Sequence, residues 1–122
     1  LLDNPEVIVR KIKRAVTDSG SEVKRGEGKA GVENLMNIYS AVTGSSMEKI
    51  EERFDGKGYG IFKAEVADAV VEALRPIQER YRELMENKDY LEQVYRKGAE
   101  AASRTAAKTL SKVYRKVGFI QP

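Results

Sequence analysis

The chain has 122 residues, no cysteine and no histidine, a net charge of +3 and an isoelectric point near 9.1. Hydrophobic residues make up 41% and charged residues 34%, which describes a folded, helix-friendly chain rather than a disordered one. The missing cysteine and histidine exclude disulfides, thiolate chemistry, zinc–sulfur sites and imidazole catalysis, and no apolar run is long enough to cross a membrane.

Asn4-Pro5-Glu6 opens a first helix, with Asn or Asp3 as N-cap, proline at the first helical position and an acid in the first turn. The periodicity carries it to about Val16, with Ile8, Ile12 and Ala15 on one face and Arg10, Lys13 and Arg14 on the other. Residues 17–30 are polar and glycine-bearing, and read as a mobile loop. A second helix covers about Gly31 to Thr43, burying Val32, Leu35, Met36, Tyr39 and Val42, with Gly44 at its end. Ser45 and Ser46 offer N-caps for a short third helix, about Met47 to Phe54; Ser45 with Glu48 has the spacing of a capping box.

Gly56-Lys57-Gly58-Tyr59-Gly60 must turn the chain, because glycine at this density is uncomfortable inside a helix. The run from Ile61 to Asn87 then places Phe62, Val66, Ala69, Ala73, Ile77 and Leu84 on one helical face, widened by Val70, Leu74 and Tyr81. Acidic residues and Arg82 occupy the other side, and Pro76 is expected to kink this long fourth helix. Asp89 with Glu92 suggests a capping box for a fifth helix, about Tyr90 to Val117. Its inner face carries Leu91, Tyr95, Ala102, Ala106, Thr109, Val113 and Val117. Lys97, Arg104, Lys108 and Arg115 align on its opposite side. The expected fold is all-α, a single-domain bundle of about five helices; residues 1–30 form its first helix and loop, and 31–122 its core.

Two catalytic-looking strings fail on context. Gly26-Glu27-Gly28-Lys29-Ala30-Gly31 matches G-x-G-x-x-G, but no hydrophobic strand precedes it. Ser46-Met47-Glu48-Lys49 matches S-x-x-K, yet Ser46 is placed to cap a helix and the companion motifs are missing. No catalytic residue and no metal ligand set is read from the chain. Two basic features point to RNA. Around the glycine turn, Arg53, Lys57 and Lys63 surround Tyr59, a combination suited to phosphates and a stacked base, although Tyr59 suits a core position equally well. The alternative RNA surface is the Lys97, Arg104, Lys108 and Arg115 stripe, which otherwise reads as a solvated helix face.

Four blocks taken together resemble one family. They are Ile12-Lys13-Arg14-Ala15-Val16-Thr17-Asp18-Ser19, Asn34-Leu35-Met36-Asn37-Ile38-Tyr39-Ser40, Gly56-Lys57-Gly58-Tyr59-Gly60 and Leu74-Arg75-Pro76-Ile77-Gln78-Glu79-Arg80-Tyr81. In order and spacing they are similar to the C-terminal part of the bacterial tryptophanyl-tRNA synthetases. The resemblance implies a C-terminal fragment of a class I ligase that joins tryptophan to its tRNA with ATP and magnesium. Neither cofactor is expected in this segment, because the family's nucleotide-binding signatures and its lysine–serine loop do not occur here. The implied role is to meet the tRNA anticodon beside a catalytic domain that is not in this chain. The implied parent is a cytoplasmic homodimer joined through that other part, with no membrane involvement. A stand-alone RNA- or protein-binding module and a purely structural helical domain are the alternatives.

Overall fold

A computed structural model describes residues 1–120. It is all-helical, with α1 (Pro5–Lys13), α2 (Ala30–Thr43), α3 (Met47–Phe54), α4 (Gly58–Glu86) and α5 (Lys88–Val117), and no strand among the described residues. The chain divides into two compact units, Leu1–Glu79 and a second from Arg80 onward, with the boundary inside α4.

In the first unit the core is built by α2, α3 and the start of α4. Val32, Leu35, Met36 and Tyr39 from α2 meet Ile50 and Phe54 from α3 and Phe62 and Val66 from α4. Tyr39, Phe54 and Phe62 form an edge-to-face cluster with ring centroids 4.9–6.5 Å apart, the arrangement the ring quadrupole favours. Val42, expected inside, is 36% exposed, because it lies in the last turn of α2, beyond the reach of this cluster. The loop contributes directly: Val23, 1% exposed, joins the core. Arg25 fastens the same segment to α3 through Glu51 and Glu48.

The helix ends differ from expectation in instructive ways. Asn4 caps α1 by accepting from the Val7 amide, but α1 stops at Lys13 rather than Val16. The Ala15 amide donates to Ile12 in a tighter turn, and Val16 is left exposed. Ser46, not Ser45, caps α3, while Ser45 is engaged by Thr43. Asn87, not Asp89, caps α5 by accepting from Tyr90. Gly56 and Gly58 adopt φ of 70° and 73°. These left-handed residues make the expected turn, after which Gly58, Tyr59 and Gly60 open α4. Helix α4 continues through Pro76 to Glu86. At the other end of the unit, the Gln78 amide donates to the carbonyls of Leu1 and Asp3, and Ile8 of α1 is buried.

The second unit contains the end of α4 and α5. No residue of α5 is buried. Of its expected inner face, Tyr95, Val113 and Val117 are all about half exposed or more.

Candidate nucleic-acid interface

The residues around the glycine turn are brought together, but most are committed to neighbours in the protein. The Tyr59 hydroxyl lies 2.7 and 2.9 Å from the two carboxylate oxygens of Asp18 and donates to them. Lys29 Nζ donates to the Tyr59 oxygen and to the Glu22 carbonyl, and stands 3.8 Å from Asp18. The Tyr59 ring packs against the core cluster. Lys63 Nζ donates to the Ala15 carbonyl and the Thr17 hydroxyl. Arg53 pairs with Glu65 at 2.6 Å. Lys57 alone is exposed without an ion pair among the described residues, its ammonium 5.6 Å from the Phe54 ring centroid.

These bonds explain the titration of the cluster. The hydroxyl of Tyr59, followed by the Gly20 amide, holds the Asp18 carboxyl below its usual range. Tyr59 is itself pushed up, first by partial burial and then by the Asp18 carboxylate it donates to. The bond to Tyr59 also raises Lys29. This arrangement stores no reactive group; it ties residues 15–29 to the first turn of α4. Gly31 completes the junction. A Cβ there would stand 2.2 Å from the Val16 carbonyl oxygen, so only glycine permits the loop to pass so close to α2.

Sequence reasoning named the cations at the turn but missed Asp18, Lys29 and Gly31, which lie up to 41 residues away along the chain. No local pattern marks them: Val23 is one apolar residue in a polar loop, and the pairing of Lys29 with Asp18 appears only once the chain folds. The G-x-G-x-x-G string falls in this loop and at the start of α2, with no strand before it.

The α5 cations contrast with those at the turn. Lys97, Arg104 and Lys108 are exposed, and their side chains make no ion pair or hydrogen bond among the described residues. Arg115 is exposed as well, and among the described residues its side chain donates to the Ser111 carbonyl of its own helix, at 3.5 Å. From Ala101 to Ile120 the chain carries five basic residues and no acidic one. Their spacing puts Lys97, Arg104, Lys108 and Arg115 on one helical face. Among the described residues no group of acidic side chains is disposed to hold a metal ion, and no helix is long and apolar enough to cross a membrane.

The family described as tRNA synthetases class I (W and Y) matches residues 1–75, more than half of the chain. The chain belongs to this class I synthetase family. The matched residues span the core of the first unit, including the Asp18–Tyr59–Lys29 junction. Similar curated proteins extend the likeness over the second unit. A tryptophan–tRNA ligase of Clostridium acetobutylicum is 52% identical over the whole chain. Ligases of the same name from Bacillus anthracis and Wolinella succinogenes are 50% and 48% identical over 98% of it. The chain spans only 36–37% of the length of these relatives.

Proposed function

We propose that this chain is the helical, tRNA-contacting portion of a tryptophan–tRNA ligase, and that its principal RNA surface is the Lys97, Arg104, Lys108 and Arg115 face of α5. Two things support the reading: membership in the class I family, with relatives named tryptophan–tRNA ligase, and the Lys97, Arg104, Lys108 and Arg115 side chains, which have no ion-pair partner among the described residues. A cation without a protein partner can neutralise a phosphate, and so release the RNA's condensed counterions, with no internal bond to break first. At the glycine turn, Lys57 meets that condition; Tyr59, Lys63 and Arg53 would each have to break an internal bond. The turn is thus a secondary contact through Lys57, and the other three hold it in shape. The RNA region met is the anticodon arm, as the family resemblance implies.

Tryptophan, ATP and magnesium chemistry belongs, in this reading, to the remaining length of such a ligase. The residues present here do not fit those groups: the glycine string follows no strand, and no acidic cluster is disposed for a metal among the described residues. The parent is proposed to act as a cytoplasmic homodimer joined through that other part.

The test compares Arg104→Ala/Lys108→Ala with Lys57→Ala and Arg53→Ala in a full-length ligase carrying this segment. The stripe variant should lower kcat/KM for tRNA charging and leave adenylate formation near normal, with Lys57→Ala giving a smaller loss. A charging defect confined to Lys57→Ala or Arg53→Ala would transfer the RNA to the turn. Unchanged charging in all variants would favour a purely structural helical domain.

A further inference from the structure

Resting on the RNA-binding reading above, we propose that the C-terminal half of α1 is a second, separate phosphate-binding face, on which Arg10, Lys13 and Arg14 seat the backbone of RNA over an apolar floor. Residues 8–14 contain four basic residues and no acid. Of these, only Lys11 is used by the protein, in a pair with Asp3. Arg10, Lys13 and Arg14 are exposed and form no ion pair among the described residues. Elsewhere in the same unit Arg25, Arg53, Arg75, Lys24 and Lys29 are each paired with an acid. An unsatisfied trio on one short helix is therefore a local exception, joined only by the single cations Lys49 and Lys57.

Cations near a helix C-terminus are commonly explained by the helix dipole. Side chains recruited for that purpose reach the last carbonyls, and here none of the three does. The Arg10 carbonyl is instead capped by the backbone amide of Arg14. Lys13 and the C-cap residue Arg14 lie three and four positions from Arg10, so each neighbours it on the surface and the three charges flank one side of the helix end. They border a shallow hollow whose other walls are Pro5, Val9 and Glu6. A phosphate group fits the cationic rim, and the sugar or base edge fits the Val9 and Pro5 surface. Glu6, at the N-terminal edge, repels phosphate from that end and directs it toward Arg14. An open hollow with flexible cations suits a polymer, which adds charge from each neighbouring phosphate, better than a single small anion.

The experiment measures tRNA binding to this chain across a salt series. It compares the parent sequence, Arg10→Ala/Lys13→Ala/Arg14→Ala, Arg104→Ala/Lys108→Ala, and Arg10→Lys/Arg14→Lys, with helicity checked by circular dichroism. Each phosphate contact contributes roughly 0.7–0.9 to the slope of log affinity against log salt. The α1 triple variant should thus flatten that slope by about 2–3 while keeping its helicity, and the lysine variant should retain most of it. Glu6→Gln should tighten binding at low salt. An unchanged slope in the triple variant, beside a reduced one in the α5 variant, overturns this inference and leaves the α5 reading intact. A reduced slope in the α1 variant alone upholds it and removes the α5 reading; no tRNA binding by the parent sequence overturns both. Inorganic phosphate and polyglutamate serve as competitors. If either displaces from the α1 face at a concentration that leaves tRNA bound, the site belongs to small anions or an acidic protein and the proposal fails.

Discussion

At the scale of single residues, the junction around Tyr59 decides how the loop is held. Tyr59 donates to Asp18, Lys29 donates to Tyr59, and Lys63 reaches the backbone just before Asp18. The Asp18 carboxyl lies below its ordinary value of 3.8 because the folded state stabilises its charged form. Such a group contributes stability that is complete above the unfolded pKa and is lost as pH falls through the folded one. The loop should therefore loosen in acid, below about pH 4. Tyr59 and Lys29 have the opposite sign: both are raised, so their contribution is present below their ordinary values and lost as pH climbs through the folded ones. Amide exchange of residues 17–29 should accelerate at both ends of the pH range, after correction for intrinsic rates. Tyr59→Phe should remove the acid limb of that dependence. An acid limb unchanged in Tyr59→Phe would mean that the Gly20 amide, not the hydroxyl, holds the carboxyl down. Gly31→Ala is a sharper test of geometry. Its methyl would meet the Val16 carbonyl, and displacing packed backbone costs typically about 1–3 kcal/mol, readable as a lower unfolding midpoint.

At the scale of elements, periodicity was a good guide wherever a helix buries a face within its own neighbourhood. Leu35, Met36 and Tyr39 at i, i+1 and i+4 identify the inner face of α2, and all are buried. The same reasoning overreached in the far half of α4 and in α5, where Ile77, Tyr81, Val113 and Val117 follow the helical period yet remain 43–54% exposed. A helical period records that a face is apolar, not what covers it. Loops escape the method for another reason: Val23 is a single buried residue with no period to reveal it. Cap positions moved by one or two residues because several serines and asparagines compete for each helix end. Helix α3 shows what tertiary contact supplies. At eight residues it is too short to persist alone, and Ile50 and Phe54 hold it. Phe54→Ala should cost about 3–5 kcal/mol, measured by denaturant unfolding, and should melt α3 with the core. Helix α1 contributes only Ile8 to the buried set, so its amides should exchange before those of residues 62–67.

At the scale of the molecule, the distribution of charge separates two tasks. Within Leu1–Glu79 most basic side chains are matched to acids or to backbone carbonyls, and the glycine turn is part of that internal economy. From Ala101 to Ile120 no basic residue has an acidic partner among the described residues, and Arg115 reaches a carbonyl only within its own helix. A surface that keeps cations unpaired accepts self-repulsion, and an anionic partner relieves it. The family resemblance could be read from four short blocks, which hold residues with a structural constraint: Leu35 and Tyr39 are buried, and Gly56 and Gly58 take left-handed φ. The choice between two basic surfaces could not, because pairing with distant acids such as Asp18 and Glu65 is invisible until the chain folds. The remaining question is whether these residues bring any chemistry of their own. Activating an amino acid requires a nucleotide site, and the two candidate strings have structural places among the described residues: the glycine string lies in the loop and the start of α2, Ser46 caps α3, and Lys49 lies exposed on α3. Incubated with tryptophan, ATP and magnesium, the chain should give no tryptophan-dependent pyrophosphate exchange above background, while still retarding tRNA at low salt and releasing it as salt rises. Exchange that persists in Lys49→Ala and Ser46→Ala would locate a nucleotide site elsewhere in these helices and overturn the non-catalytic reading. Exchange abolished by either substitution would make the serine–lysine pair reactive and overturn it as well.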